Sequence, residues 1–87
     1  MNMAKVIGNV VATKKEESLT GYKLMIIQIV DSNSQPTAME EVVVDCVGAG
    51  IGDHVLITKG SSARKILRDQ NSPVDAVIVG IIDRLDK

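Results

Sequence analysis

Runs of valine and isoleucine, separated by short polar turns, set the pattern of this chain. Residues 4–14 alternate between apolar and polar positions, as a strand with one buried face does. Residues 23–31 and 76–82 are apolar at nearly every position, which indicates strands apolar on both faces. Residues 41–47 and 54–59 are shorter but equally rich in valine and isoleucine. The pattern therefore predicts five strands.

One short helix is predicted between the fourth and fifth strands. In the segment GSSARKILRDQ, Ser61 or Ser62 is expected to provide the N-cap of a helix over residues 63–69. Three apolar side chains share one face of that helix at helical spacing, namely Ala63, Ile66 and Leu67.

Two of the predicted turns carry a specific expectation. Gly21 is expected to have a positive φ in the turn before the second strand. Residues 31–40 form the longest polar stretch and contain Pro36, so they are expected to be the most mobile surface loop.

Five short strands and one short helix predict a mostly β fold, a small, mainly antiparallel, five-stranded OB-like β-barrel. The 87 residues are expected to form one domain, residues 1–87. Hydrophobic residues make up 45% of the chain and only one is aromatic, Tyr22. This aliphatic surface exceeds what one small core can hide, which predicts subunit interfaces. In a barrel of 87 residues, another subunit is expected to be the only large cover available for the doubly apolar strands.

Charge and cysteine content exclude several classes of protein. The formal net charge is −1, so the basic surface of a nucleic-acid-binding protein is absent. One cysteine rules out an internal disulfide and a cysteine-based zinc cluster, which fits a reducing cytoplasm. No stretch has the length of a membrane span or the pattern of a signal peptide, so we expect a cytoplasmic protein without a membrane partner.

The segment DCVGAGIGDHV places glycines at positions 48, 50 and 52, a pattern that resembles a phosphate-binding loop. The spacing is G-x-G-x-G, however, and a strand follows instead of a helix, so a nucleotide site is not supported. The alternative is a tight connection between strands, in which positive φ or crowding excludes a Cβ atom. The same glycines also expose backbone groups that a neighbouring subunit or a narrow pore can use.

The remaining candidates for chemistry do not form an active site. His54 is the only histidine and has no metal-binding partner at the required spacing. Cys46 lies in an apolar strand and is expected to be buried and inert. Four aspartates at strand ends are expected to satisfy turns and backbone groups, namely Asp45, Asp53, Asp75 and Asp83. We therefore predict no catalytic residue, no metal, no cofactor and no enzymatic activity.

An OB-like barrel suggests one alternative function, the binding of single-stranded nucleic acid or of a small ligand. Such barrels stack bases on aromatic side chains in a basic groove. One aromatic residue and no basic excess argue against nucleic acid as a partner here.

Four segments together resemble a known family, the bacterial microcompartment vertex proteins of the EutN/CcmL type. They are AKVIGNVVATKK (residues 4–15), DCVGAGIGDHVLI (45–57), GSSAR (60–64) and SPVDAVIVGIID (72–83). Their order and spacing match the family over nearly the whole chain. The resemblance implies an OB-like barrel that forms a homopentamer and caps the corners of a shell built otherwise from hexameric shell proteins.

The resemblance also implies where the subunits meet. The residues expected at a subunit interface or pore are Gly48, Ala49, Gly50, Ile51, Gly52, Ser61, Ser62 and Arg64. If Arg64 is buried there, it needs a carboxylate or carbonyl partner, because an unpaired buried charge is costly. Asp45, Asp75 and Asp83 are the candidate carboxylates, and the sequence does not choose among them.

Overall fold

The computed structural model describes residues 1–12, 21–67 and 74–86, and at Arg64 it describes the backbone only. The elements are, in chain order, β1 (Asn2–Val10), β2 (Lys23–Val30), β3 (Pro36–Asp45), β4 (His54–Lys59), α1 (Gly60–Ile66) and β5 (Ala76–Ile81). All five predicted strands are confirmed. Part of the first predicted strand, residues 13–14, lies outside the described residues, and so do residues 68–69 of the predicted helix.

The five strands close into one barrel in the order β1-β2-β3-β5-β4. Four of the five strand pairs are antiparallel, and β3 and β5 pair in parallel through Val44↔Val77 and Asp45↔Ile78. The predicted OB-like barrel with one short helix is confirmed. Every strand therefore has a neighbour on both sides, although β3 pairs with β5 over two residues only and β1 pairs with β4 only through residues 2–5.

The barrel interior is filled by aliphatic side chains. Strands alternate their side chains between the two faces of the sheet, so every second residue points inward. One buried cluster fills the interior and consists of Ala49 from the loop after β3 and of inward strand residues, namely Ala4, Val6, Met25, Ile27, Ile29, Val43, Val55, Ile57, Ala76 and Ile78. This cluster contains no aromatic side chain, in keeping with the composition.

Helix α1 covers part of the outer face of the barrel. The outward side chains Leu24, Val44 and Val77 are buried in a second cluster with Ala63 and Leu67 of the helical segment. The expectation that only another subunit can cover the doubly apolar strands is therefore corrected, because the chain supplies one cover itself. Ile66, predicted on the same helix face, is instead 50% exposed.

The helix begins earlier than predicted. It runs over Gly60–Ile66, its N-cap is Lys59, and no side chain caps it. Ser61 and Ser62 are therefore inside the first turn, which corrects their expected N-cap role. The reason is that Gly60, with φ of +67°, turns the chain directly out of β4, and its N–H donates to the Asp75 carbonyl at 2.8 Å.

The predicted loop over residues 31–40 is also corrected, because β3 already begins at Pro36. The turn itself is ordered by Asp31, whose Oδ1 accepts hydrogen bonds from the N–H groups of Asn33 and Gln35 at 2.8 and 3.0 Å. The first part of β3 is largely exposed. No buried face imposes a hydrophobic period there, so the pattern does not show the strand.

Two smaller features complete the fold. Gly21 has φ of +86°, as predicted. No helix in the described ranges is long and apolar enough to cross a membrane.

The packing of α1 makes a testable prediction about stability. Leu67→Ala removes a side chain buried against Leu24, Val44 and Val77, so it should lower the free energy of unfolding by about 2–5 kcal/mol. Ile66→Ala is the matched control, because Ile66 is half exposed, and we expect a loss below about 1 kcal/mol. Urea unfolding at one protein concentration measures both, and equal losses would contradict this packing.

Candidate assembly interface

A buried carboxylate sets the path of the glycine-rich loop between β3 and β4. The side chain of Asp45, at the end of β3, is only 2% exposed. Its Oδ1 accepts hydrogen bonds from the N–H groups of Val47 and Gly48 at 3.0 and 3.2 Å, and its Oδ2 accepts one from Ala49 at 2.8 Å. Three backbone donors therefore converge on one charged group, and such bonds are stronger than those between neutral groups.

Lys23 fixes the same loop from the neighbouring strand. Its Nζ donates to the carbonyl of Ala49 at 2.9 Å and lies 3.9 Å from Asp45 Oδ2. The register Lys23↔Asp45 between β2 and β3 places the two side chains together. Sequence reasoning missed Lys23, because the contact depends on a strand register that the local pattern does not show.

A second aspartate closes the loop against β1. Asp53 Oδ2 accepts a hydrogen bond from the Gly50 N–H at 2.8 Å, and the Asp53 N–H donates to the Gly50 carbonyl at 3.1 Å. Val6 exchanges backbone hydrogen bonds with this end of the loop, to Gly52 and Asp53, both at 2.9 Å. The predicted backbone-satisfying role of Asp45 and Asp53 is thus confirmed.

The three glycines of the loop differ in whether their backbone conformation requires a glycine. Gly48 and Gly52 have φ of +83° and +96°, a region that side chains with a Cβ atom rarely adopt. Gly50 does not have a positive φ. A Cβ atom added there would lie 3.8 Å from Asp53 Oδ2, which is an ordinary van der Waals contact. The predicted exclusion of a Cβ atom therefore holds at Gly48 and Gly52 through their positive φ, and it is wrong at Gly50 within a single chain.

Side chains of the loop are divided between the core and the surface. Ala49 is fully buried in the core, so its side chain is not available to a neighbour or a pore. Ile51, at the turn, is 64% exposed. The exposed loop surface therefore consists of the side chains of Cys46, Val47 and Ile51 and of backbone around Gly48 and Gly52.

The GSSAR segment lies in the first turns of α1. Ser61 and Ser62 are both exposed. The side chain of Arg64 is outside the described part of the structure, so its predicted carboxylate partner stays a prediction. Of the three candidates, Asp45 is occupied by the loop N–H groups, and Asp75 and Asp83 are exposed.

Cys46 and His54 lie near the loop without forming a site. Cys46 is exposed, which corrects the expectation of a buried thiol. Partial burial, together with the neighbouring Asp45 carboxylate, raises the pKa of the Cys46 thiol, so it stays protonated at neutral pH. His54 is half-buried beside β1. Across residues 1–12, 21–67 and 74–86, no group of three potential metal ligands comes together.

The role of Asp45 can be tested by removing its charge. Asp45→Asn keeps the shape but removes the charge and turns one accepting oxygen into an NH2 group, which cannot accept a hydrogen bond from a loop N–H. We therefore expect the free energy of unfolding to fall by about 2–3 kcal/mol. Asp75→Asn changes an exposed carboxylate and should cost less than about 0.5 kcal/mol. Chemical denaturation measures both, and amide exchange should accelerate at residues 47–49 in Asp45→Asn alone. Unchanged exchange there would contradict the assignment.

The glycines can be distinguished by single alanine substitutions. Gly48→Ala and Gly52→Ala force a Cβ atom into the left-handed region, so each should cost about 1–2 kcal/mol of folding stability. Gly50→Ala should change stability by less than about 0.5 kcal/mol in thermal or urea unfolding. A large loss at Gly50 would mean that a neighbouring molecule occupies the space next to it.

Comparison with known proteins identifies what this barrel is related to. The family described as ethanolamine utilisation protein EutN/carboxysome matches residues 1–83. The carboxysome shell vertex protein CcmL of a Synechocystis species is 46% identical over 86 residues, which cover 99% of this chain and 86% of that protein. The microcompartment shell vertex protein PduN of Salmonella typhimurium is 44% identical over 98% of both chains.

A solved structure extends the similarity to three dimensions. The pentameric microcompartment shell protein GrpN from Rhodospirillum rubrum superposes with a TM-score of 0.91 at 44% identity, covering 100% of this chain and 99% of that one. The match includes all of the strands and the glycine-rich loop described above. The chain therefore belongs to the EutN/CcmL family.

Proposed function

We propose that five copies of this chain close into a ring and that the ring is a structural unit at the vertex of a bacterial microcompartment shell. The observation that carries the proposal is the similarity over the full chain to shell vertex proteins and to the pentameric GrpN. Its cellular place would then be a shell in the cytoplasm.

The surface of the barrel supports a role in assembly. Large aliphatic side chains are exposed on the outer sheet face and on the loop, among them Val42 and Ile51. Each subunit of a closed ring makes two contacts through different surfaces, and the rotation between subunits closes the ring. Obligate contacts of this kind bury on the order of 2,000 Å² or more, which is a large part of the surface of a small barrel.

The vertex role follows from the geometry of closed shells. Hexagonal tiles alone form a flat sheet, and a closed shell requires corners with five-fold symmetry. A pentamer of this chain would supply such a corner, so its partners would be hexameric shell proteins. The predicted interface positions belong to this proposal, with Ile51, Ser61 and Ser62 exposed and available for contact.

We infer that the chain has no catalytic activity of its own. The two aspartates of the loop direct their oxygens to backbone N–H groups, and the raised pKa of the Cys46 thiol makes it a weak nucleophile at neutral pH. The relatives are structural shell proteins.

The alternative of a nucleic-acid-binding barrel has less support. The outward surface of β2 and β3 carries Ile26, Val42 and Glu40. Proteins that bind single strands need basic and aromatic side chains on such a surface. A small-ligand role rests on the fold alone, and a fold does not by itself imply a function.

Native mass spectrometry of the purified protein tests the proposal directly. We expect the mass of five chains, as in the pentameric GrpN. The ring should persist at micromolar concentration, and its mass should not change when a single-stranded oligonucleotide is added at low salt. A stable monomer at that concentration would overturn the vertex role, and a bound oligonucleotide would favour the alternative.

A further inference from the structure

Two apolar rows lie on the outer face of the barrel, away from the part that α1 covers. The first row crosses β1, β2 and β3 through the paired residues Gly8, Ile26 and Val42. Ile26 lies between the buried residues Met25 and Ile27, so its side chain points outward. Val42 is 55% exposed.

The second row crosses the strands on the other side of β1. It consists of Met3, Leu56 and Gly80, on β1, β4 and β5. Leu56 lies between the fully buried Val55 and Ile57, so it also points outward. Met3 also lines a cavity of about 180 Å³ next to this row.

The two rows are built in the same way. In the first row the side chain of Ile26 lies over Gly8, where a Cβ atom would come within 3.4 Å of Ile26 Cδ1. In the second row Leu56 lies over Gly80, where the corresponding distance is 3.7 Å. A glycine beside each aliphatic side chain lets it lie against the sheet, which makes a smooth apolar surface.

Charged groups next to the rows are of opposite sign. Glu40 lies two residues from Val42 on the same strand face, and it is exposed. Lys5 lies two residues from Met3 on the same face and is exposed as well, directly opposite His54. Asp83 and Arg84 line the cavity, and Arg84 forms an ion pair with Asp86, so the cavity adds no positive charge to this side. The first row therefore has an acidic border on β3, and the second has a basic border on β1.

We propose that the first row of one copy packs against the second row of the next copy around the ring. The proposal rests on the proposed ring and names the two surfaces that form each contact. Because the rows lie on opposite sides of β1, they face different directions, as the two contacts of a closed ring require. Val42 meets Met3 and Leu56 across the contact, and Glu40 lies near Lys5.

Cross-linking tests which surfaces meet. In a Cys46→Ser background, Val42→Cys and Leu56→Cys are combined in one chain and treated with a short bismaleimide. We expect a ladder of covalent species up to five chains on a denaturing gel. Each single substitution should give monomers only, because a contact between different surfaces never places two copies of the same row together. A dimer from Val42→Cys alone would overturn the pairing.

A matched control and a disruptive variant complete the experiment. Val42→Cys combined with Val11→Cys should give no ladder, because Val11 is 91% exposed and outside both rows. Val42→Glu should convert the ring to monomers in native mass spectrometry, whereas Val11→Glu should leave it intact. Circular dichroism checks that both variants are folded.

The outcomes separate this inference from the proposed function. If the Cys46→Ser background is a pentamer but the Val42→Cys, Leu56→Cys chain gives no ladder, the pairing of rows is wrong and the vertex role stands. A pentameric Val42→Glu variant would lead to the same conclusion. If the background itself is a monomer, both proposals fail.

Discussion

The outer circumference of a five-stranded barrel is larger than α1, the one helix in the described residues, can cover. The seven-residue helix α1 buries the row formed by Leu24, Val44 and Val77 and ends there. Outer-face positions beyond that row stay aliphatic, as at Ile26 on β2 and Leu56 on β4. The aliphatic composition of the chain therefore leaves apolar surface that α1 does not cover. Burying this surface against a second copy removes it from water, and this favours assembly.

The fold was largely predictable from the sequence, because a strand that is buried on at least one face leaves a clear hydrophobic pattern. Prediction failed where that burial is missing, as in the first half of β3, or where one glycine sets a boundary, as Gly60 does for α1. The covering role of α1 was missed for a different reason. Its apolar face is visible in the sequence, but the strands that it packs against are set by the closure of the barrel.

The candidate site was predictable only in part. The acidic residues at strand ends indicated backbone contacts, and Asp45 and Asp53 make them. The role of Lys23 depends on the register between β2 and β3, and the burial of Ala49 depends on how the loop closes over the core. Both are long-range consequences of folding, and a local pattern of glycines cannot encode them.

The position of Asp45 has a consequence for how the family can diversify. The groups that fix the loop path are the Asp45 carboxylate, the Lys23 ammonium and the Asp53 carboxylate, and all three lie outside residues 46–52. The exposed side chains of Cys46, Val47 and Ile51 take no part in those bonds. Evolution or design can therefore change the chemistry of this surface while the scaffold beneath it keeps its shape.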